Sequence, residues 1–281
     1  MVAYMFLEKL SKVVRGRIRA RENNMEKFLL VMTACVNPGQ GQYPLKRADP
    51  EVRLGDYAKS LRYWLGLPDQ RIRNILLIEN SNYPLGSLKE IARSENPYHR
   101  EVELVSLDCN WYPPGGHYGY AELKMLDEGL HKSILRRQSE YMIKVSGRLI
   151  FPSLSRLLDK IPADFDAVVD SRKWIGLFRR RDKPRVTTQL VLFKLAFYEK
   201  YLQSCYRLLE EGEEKHMEGI YYFLLDRLGQ NAAHKILFRF PCNADPAGFP
   251  AHRTNAYGGI LERSQQVFRA VTRRVLPQWW I

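Results

Sequence analysis

Lys144 to Arg148 reads KVSGR, and alternation along an extended segment puts Lys144, Ser146 and Arg148 on one face. Two cations and a hydroxyl on one face of a central strand are costly to bury unpaired, so they require an anion or a carboxylate beside them. A phosphate is one such anion, and an internal salt bridge is the alternative. A second set of polar residues closes apolar runs. Asn37 follows Lys27 to Val36, Glu79, Asn80 and Ser81 end the run from Asn74 to Ser81, and Asp108 ends the run from Glu101. Ligands of open parallel sheets sit at the carboxyl ends of strands, so these residues outline a candidate cleft. The loop Asn110 to Tyr120 (NWYPPGGHYGY) is rich in glycine, proline and aromatics and leads directly into a helix from Ala121 to Arg137. Amides at a helix start favour an anion, and glycines let it approach the backbone, although the loop is neither a GxGxxG nor a Walker sequence.

The elements that must position these groups alternate. Strands over 27–36, 74–81 and 101–108 are separated by helices over 51–65 and 86–93, the order of a parallel sheet covered on both faces. A further strand spans Tyr141 to Ile150, and a helix over Glu213 to Leu228 turns Met217, Ile220, Tyr221, Leu224 and Leu228 inward, leaving Glu214 and Glu218 on a flank. The 281 residues are 45% apolar and 27% charged, a globular composition that excludes collagen-like and disordered classes. No apolar run reaches the roughly 18 residues of a membrane helix, and no signal-peptide pattern opens the chain, so a cytoplasmic protein is expected. Cys35, Cys109, Cys205 and Cys242 form no CxxC pair and read as reduced packing residues.

The net charge of +13 implies an anionic partner without choosing among nucleic acid, lipid and phosphorylated substrates. Residues 1–24 form a basic amphipathic leader helix with Lys9, Lys12, Arg15, Arg17, Arg19 and Arg21 against Glu8 and Glu22. Another basic cluster runs from Arg172 to Arg185. Residues 261–281 are a basic and aromatic tail ending in Trp279 and Trp280, which with the leader suits peripheral contact with an anionic membrane, at the inner face of the plasma membrane. The span between, 25–260, reads as one domain.

An ordered series of motifs resembles a family of bacterial surface-polysaccharide glycosyltransferases of the capsule and O-antigen type. Leu30 to Pro38 (LVMTACVNP) is similar to the family's ILTATINP, Asp56 to Leu65 (DYAKSLRYWL) to its DYxxSLxxYL helix, and Ile78 to Ser81 (IENS) to its CENS. In His117 to Glu122 (HYGYAE), Gly119, Tyr120 and Glu122 agree with the family's GKGYGE, while its first Gly and Lys are His117 and Tyr118 here. KVSGR resembles KITGR, Asp170 and Arg172 resemble a D-x-R element, and Thr188-Gln189 matches a TQ before a helix. The resemblance spans about Phe28 to Gly248. It implies an α/β fold, GT-A-like (Rossmann-like), with a mostly parallel sheet flanked by helices and a helical C-terminal part.

The resemblance also implies transfer of a sugar from a nucleotide-sugar donor to a glycan acceptor, lipid-linked or on a surface polysaccharide. Asn37, Glu79, Asn80, Ser81, Gly119, Tyr120, Glu122, Lys144, Ser146, Arg148 and Arg172 are then the residues for donor and phosphate. An inverting transfer needs a general base, with Asp170, His216 and Glu218 as candidates; the resemblance places an acid near Glu218, which ranks just above Asp170. Many GT-A enzymes hold the diphosphate through a metal on D-x-D. The only D-x-D here, Asp164-Phe165-Asp166, reads as a turn, whereas Lys144 and Arg148 would repel a cation and serve the phosphate directly. No cofactor is therefore expected, and a divalent metal is the less favoured option. Two alternatives stand: a basic nucleic-acid-binding protein, against which no RRM, KH, helix-turn-helix or zinc-finger signature appears, so that no nucleic acid is expected, and a nucleotidyltransferase on a similar sheet.

Overall fold

A computed structural model describes residues 28–39, 45–114, 116–175, 179–210, 216–250, 256–257 and 259–275. The leader helix, Glu214, Trp279 and Trp280 lie outside the described residues. The first half alternates: β1 (Phe28–Ala34), α1 (Pro50–Leu65), β2 (Ile72–Glu79), α2 (Gly86–Ser94), β3 (Glu101–Ser106), α3 (Gly119–Lys132) and β4 (Tyr141–Ser146). β1 pairs in parallel with β2 and with β4, and β2 in parallel with β3. All seven residues of β1 (FLLVMTA) are buried, as a central strand covered on both faces requires. Leu30 and Met32 point into one core with Tyr57, Leu61 and Trp64 of α1 and Leu88 of α2, while Leu29 and Val31 meet Leu123 and Leu126 of α3 on the other. α1 begins as its sequence dictates: Asp49 accepts the Val52 amide at 3.0 Å, and Pro50 occupies the first turn, where no backbone donor is missed.

Past β4 come β5 (Leu149–Ile150), α4 (Leu154–Leu158), β6 (Ala167–Val168), β7 (Ser171–Ile175), β8 (Arg179–Val186), β9 (Leu190–Lys194), α5 (Leu195–Tyr201), α6 (Arg207–Glu210), α7 (Met217–Gly229), β10 (Ile236–Leu237), β11 (Ala247–Gly248) and α8 (Ile260–Val275). β9 runs antiparallel between β4 and β6, and β10 lies parallel beside β6, giving the seven-stranded order β10-β6-β9-β4-β1-β2-β3. The expected α/β class with a mostly parallel sheet is what the chain adopts. β7 and β8 form a separate hairpin, and β5 pairs antiparallel with β11 in another two-stranded sheet. Among the described residues, no helix is long and apolar enough to cross a membrane.

The first three strands differ from expectation by a few residues at their ends, and three later boundaries differ in ways that shape the site. The strand expected over 141–150 stops at Ser146: the Gly147 amide makes the last ladder bond, to Thr33 O at 2.9 Å, and the chain turns at Gly147 and Arg148 before β5. A Cβ on Gly147 would meet that oxygen at 2.6 Å, so the turn needs glycine. The helix expected to Arg137 ends at Lys132 and is followed by a 3-10 turn over Leu135–Gln138, since Ser133 between them is extended. α7 begins at Met217, and its inward residues are Met217, Ile220, Tyr221 and Leu225.

Candidate functional site

A cleft of 660 Å³ opens at the carboxyl ends of β1, β2 and β4. Its floor is polar and internally paired. The Lys144 ammonium, 2% exposed, is bound to Glu122 Oε1 and donates to Thr188 O at 2.8 Å. Thr33 Oγ1, at the end of β1, lies 3.1 Å from the same Glu122 oxygen. Of the two strand cations expected to face a phosphate, Lys144 is instead held in the internal salt bridge that was the alternative.

Arg148 stands apart. It sits in the turn after Gly147, lines the cleft, and its buried Nη1 has no hydrogen-bond partner. Burial, and the nearby Arg53 and Arg47, disfavour its charged form relative to an ordinary arginine, while Tyr57 and Asp56 oppose that shift. Arg53 donates to Cys35 O at 2.7 Å and to Arg47 O at 3.0 Å, and Arg47 forms a two-point pair with Asp56 at 2.6 and 2.8 Å. Arg148 and Arg53 thus line one end of the cleft, with Arg47 close behind and paired to Asp56, an arrangement suited to an anion. Cys35 also lines this end, but burial pushes its thiol up to about 11, which keeps it protonated and a poor nucleophile at neutral pH.

Glu218 lines the cleft from the first turn of α7. Burial raises its carboxyl pKa from the ordinary value, the direction that makes a carboxylate a better proton acceptor. The His117 and His216 rings stand edge to face at 4.7 Å, and with Glu218 they bring three metal-type ligand atoms within 4.8 Å of one another. Burial first, then His216, lowers His117 to about 4, so its imidazole is neutral at pH 7. The Gly119 amide donates to His117 Nδ1 at 3.1 Å, which places the ring proton on Nε2 and opposes metal ligation through that nitrogen.

The other expected residues fall into two groups. Asn80, Ser146 and Glu122 line the cleft, and Asn80 Oδ1 is a buried acceptor without a hydrogen-bond partner. Glu79 serves the backbone instead: its carboxylate accepts the amides of Val36 and Tyr83 at 3.0 Å and of Ser81 at 2.9 Å, tying the loop after β1 to the loop after β2. Ser81 Oγ accepts the Asn37 amide at 2.9 Å in the same knot. The helix start expected to receive a phosphate is closed, because the Gly119 amide is taken by His117 and a Cβ there would meet Met217 at 2.7 Å. Tyr120 is buried edge to face with Trp111 and Tyr206.

Asp170 and Arg172 do not line the cleft. Asp170, 1% exposed, holds Arg172 at 2.8 Å, a structural pair at the start of β7. Asp164 of the D-x-D pairs with Lys235 at 2.6 Å and Lys194 at 3.4 Å, and hydrogen bonds from these two lysines hold its carboxyl down at about 2. Asp166 accepts the Lys235 amide at 2.9 Å. The two carboxylates lie in the bend before β6 and tie it to Lys194 and Lys235. Arg53, Tyr57, Asn110 and Trp111 were not singled out as cleft residues. Arg53 and Tyr57, four apart on the buried face of α1, were the one signal of an inward arginine.

No protein-family model and no curated protein sequence matches the chain. Among solved structures, it is similar to a 4-diphosphocytidyl-2C-methyl-D-erythritol synthase from Anaerococcus prevotii, with a TM-score of 0.39 and 12% identity over 89% of this chain and 99% of that one. It is similar to the glycosyltransferase GlyE of Streptococcus pneumoniae (TM-score 0.45, 10% identity, 75% of this chain and 45% of that one). LgtC, in an active-site mutant form, gives 0.46 at 14% identity over 70% and 69%. Values this low decide neither substrate nor reaction.

Proposed function

We propose that the chain is a glycosyltransferase that moves a sugar from a nucleotide-sugar donor to a glycan acceptor of a surface polysaccharide. The observation that carries this reading is the pairing, in one cleft, of an arginine with a buried unpartnered donor and a carboxylate raised by burial: Arg148 and Glu218. In this reading Arg148 receives the donor phosphate and Asn80 Oδ1 accepts an N–H from the nucleotide. Glu218 takes the proton of the acceptor hydroxyl as its oxygen bonds to the sugar's anomeric carbon. The bond from that carbon to the phosphate oxygen breaks, and its electron pair stays on the nucleotide beside Arg148.

The same reading makes the reaction independent of a divalent metal, since the D-x-D carboxylates are held by lysines and the strand end offers a guanidinium instead. A thermal-shift screen against nucleotides and nucleotide sugars tests the proposal, because a ligand of the native state raises its melting temperature. Stabilisation by at least one nucleotide sugar, with release of its nucleotide on turnover, is expected. Release of pyrophosphate from a nucleoside triphosphate would make the chain a nucleotidyltransferase, and a salt-sensitive shift with RNA or DNA alone would make it a nucleic-acid binder.

A further inference from the structure

α8 turns its apolar side to solvent. Val267, Phe268, Val271 and Val275 are 65, 42, 55 and 69% exposed. At 3.6 residues per turn they share a stripe about 100° wide. The helix is held to the body beside and behind that stripe, where Thr272 is buried and Asn243 Nδ2 donates to Gln266 O at 2.7 Å. A helix on a water-facing surface ordinarily does the reverse and buries its apolar stripe. Contiguous exposed apolar surface of this kind marks a site of interaction.

We propose that this stripe seats the chain on an anionic lipid surface. Charge selects this occupant. Arg274 is exposed at the edge of the stripe, and α8 carries Arg263, Arg269, Arg273 and Arg274 against Glu262 alone, in a chain of net charge +13. A second copy would bring the same cations to the contact. The leader would bring Lys9, Lys12, Arg15, Arg17, Arg19 and Arg21 against two acids. Both are repelled, whereas anionic headgroups are attracted while the valines and Phe268 enter the acyl boundary. α8 also begins just after Tyr257, which pairs with Gly248 and whose hydroxyl accepts from cleft-lining Gln189 at 2.7 Å. A lipid seat on α8 is therefore linked to the cleft wall, whichever reaction the cleft performs.

The test is sedimentation of the full chain with vesicles of phosphatidylcholine alone or mixed with phosphatidylglycerol, alongside circular dichroism and analytical ultracentrifugation. The native chain is expected to bind the mixed vesicles, more weakly at high salt. The pair Phe268→Glu and Val271→Glu is expected to reduce that binding about tenfold or more. Arg274→Glu, which leaves the apolar stripe intact and guards against a folding defect in the pair, is expected to reduce it about fivefold. Undiminished binding by folded variants, or equal binding to phosphatidylcholine alone, would overturn the proposal. So would a dimer in solution that Phe268→Glu dissociates, or binding that appears only once residues 1–24 are removed, because these would assign the stripe to a second copy or to the leader.

Discussion

Lys144 and Arg148 lie four residues apart, yet the first belongs to the cleft floor and the second to its wall. On the floor, Lys144, Glu122, Thr33 and Thr188 satisfy one another, with the cation almost fully buried. On the wall, Arg148 keeps an unpartnered Nη1, and Glu218 carries a carboxyl raised by burial. A satisfied buried network fixes a shape, whereas an unsatisfied one is held ready for a ligand. In the proposed reading the floor positions and the wall reacts, so substitutions in the two should separate stability from activity.

The largest effect is expected at Glu218. Removing a general base costs on the order of 10² to 10⁴ in rate, so Glu218→Gln should nearly abolish transfer while the nucleotide still binds. The base works ionised, and burial raises its pKa. Activity should therefore fall as pH drops through a limb that lies above the ordinary carboxylate value of about 4.3, and a pH profile of kcat/KM checks this. Retention of full activity by Glu218→Gln would place the chemistry elsewhere.

The floor gives the next effect. Lys144→Met leaves Glu122 without its cation and should destabilise the chain by about 3 kcal/mol in denaturant unfolding. Adding Glu122→Gln should recover much of that loss, since both charges are then gone. Arg148→Ala should leave stability nearly unchanged and weaken nucleotide-sugar binding by about 1.5 to 3 kcal/mol, read by titration calorimetry. If Arg148→Ala unfolded the chain and Lys144→Met did not, the division into floor and wall would be reversed.

How much of this was legible in the sequence follows from the same pair. Periodicity placed the strand and the face that Lys144 shares with Ser146. It gave no access to the partner, because Glu122 reaches the floor from α3 across the sheet. The parallel half of the sheet was readable from its alternation with helices and from near-continuous apolar runs such as β1. The antiparallel β9 and the two-residue strands β6 and β10 were not, since their pairing is set by long-range contacts. The carboxyl-end rule found Asn80, but it equally selected Glu79, whose carboxylate is consumed by backbone amides that a pattern does not show. His117 stands where the resembled motif has glycine, and its side chain is what brings a ring to Gly119 and to His216.

The smallest effect is expected where the sequence displays its only D-x-D. Asp164→Asn disturbs an exposed turn and should leave transfer unchanged, and activity should survive exhaustive chelation. Loss on chelation with recovery on adding manganese would instead direct attention to His117, His216 and Glu218, whose ligand atoms lie within 4.8 Å of one another.

The most direct test of the account is a thermal-shift titration of the native chain and of Arg148→Ala with the same panel of nucleotide sugars. The account predicts that at least one nucleotide sugar raises the melting temperature of the native chain and that Arg148→Ala, equally stable without ligand, needs about ten to a hundred times more of it for the same shift. An equal response from both proteins, or none from the native chain to any nucleotide sugar, would contradict it.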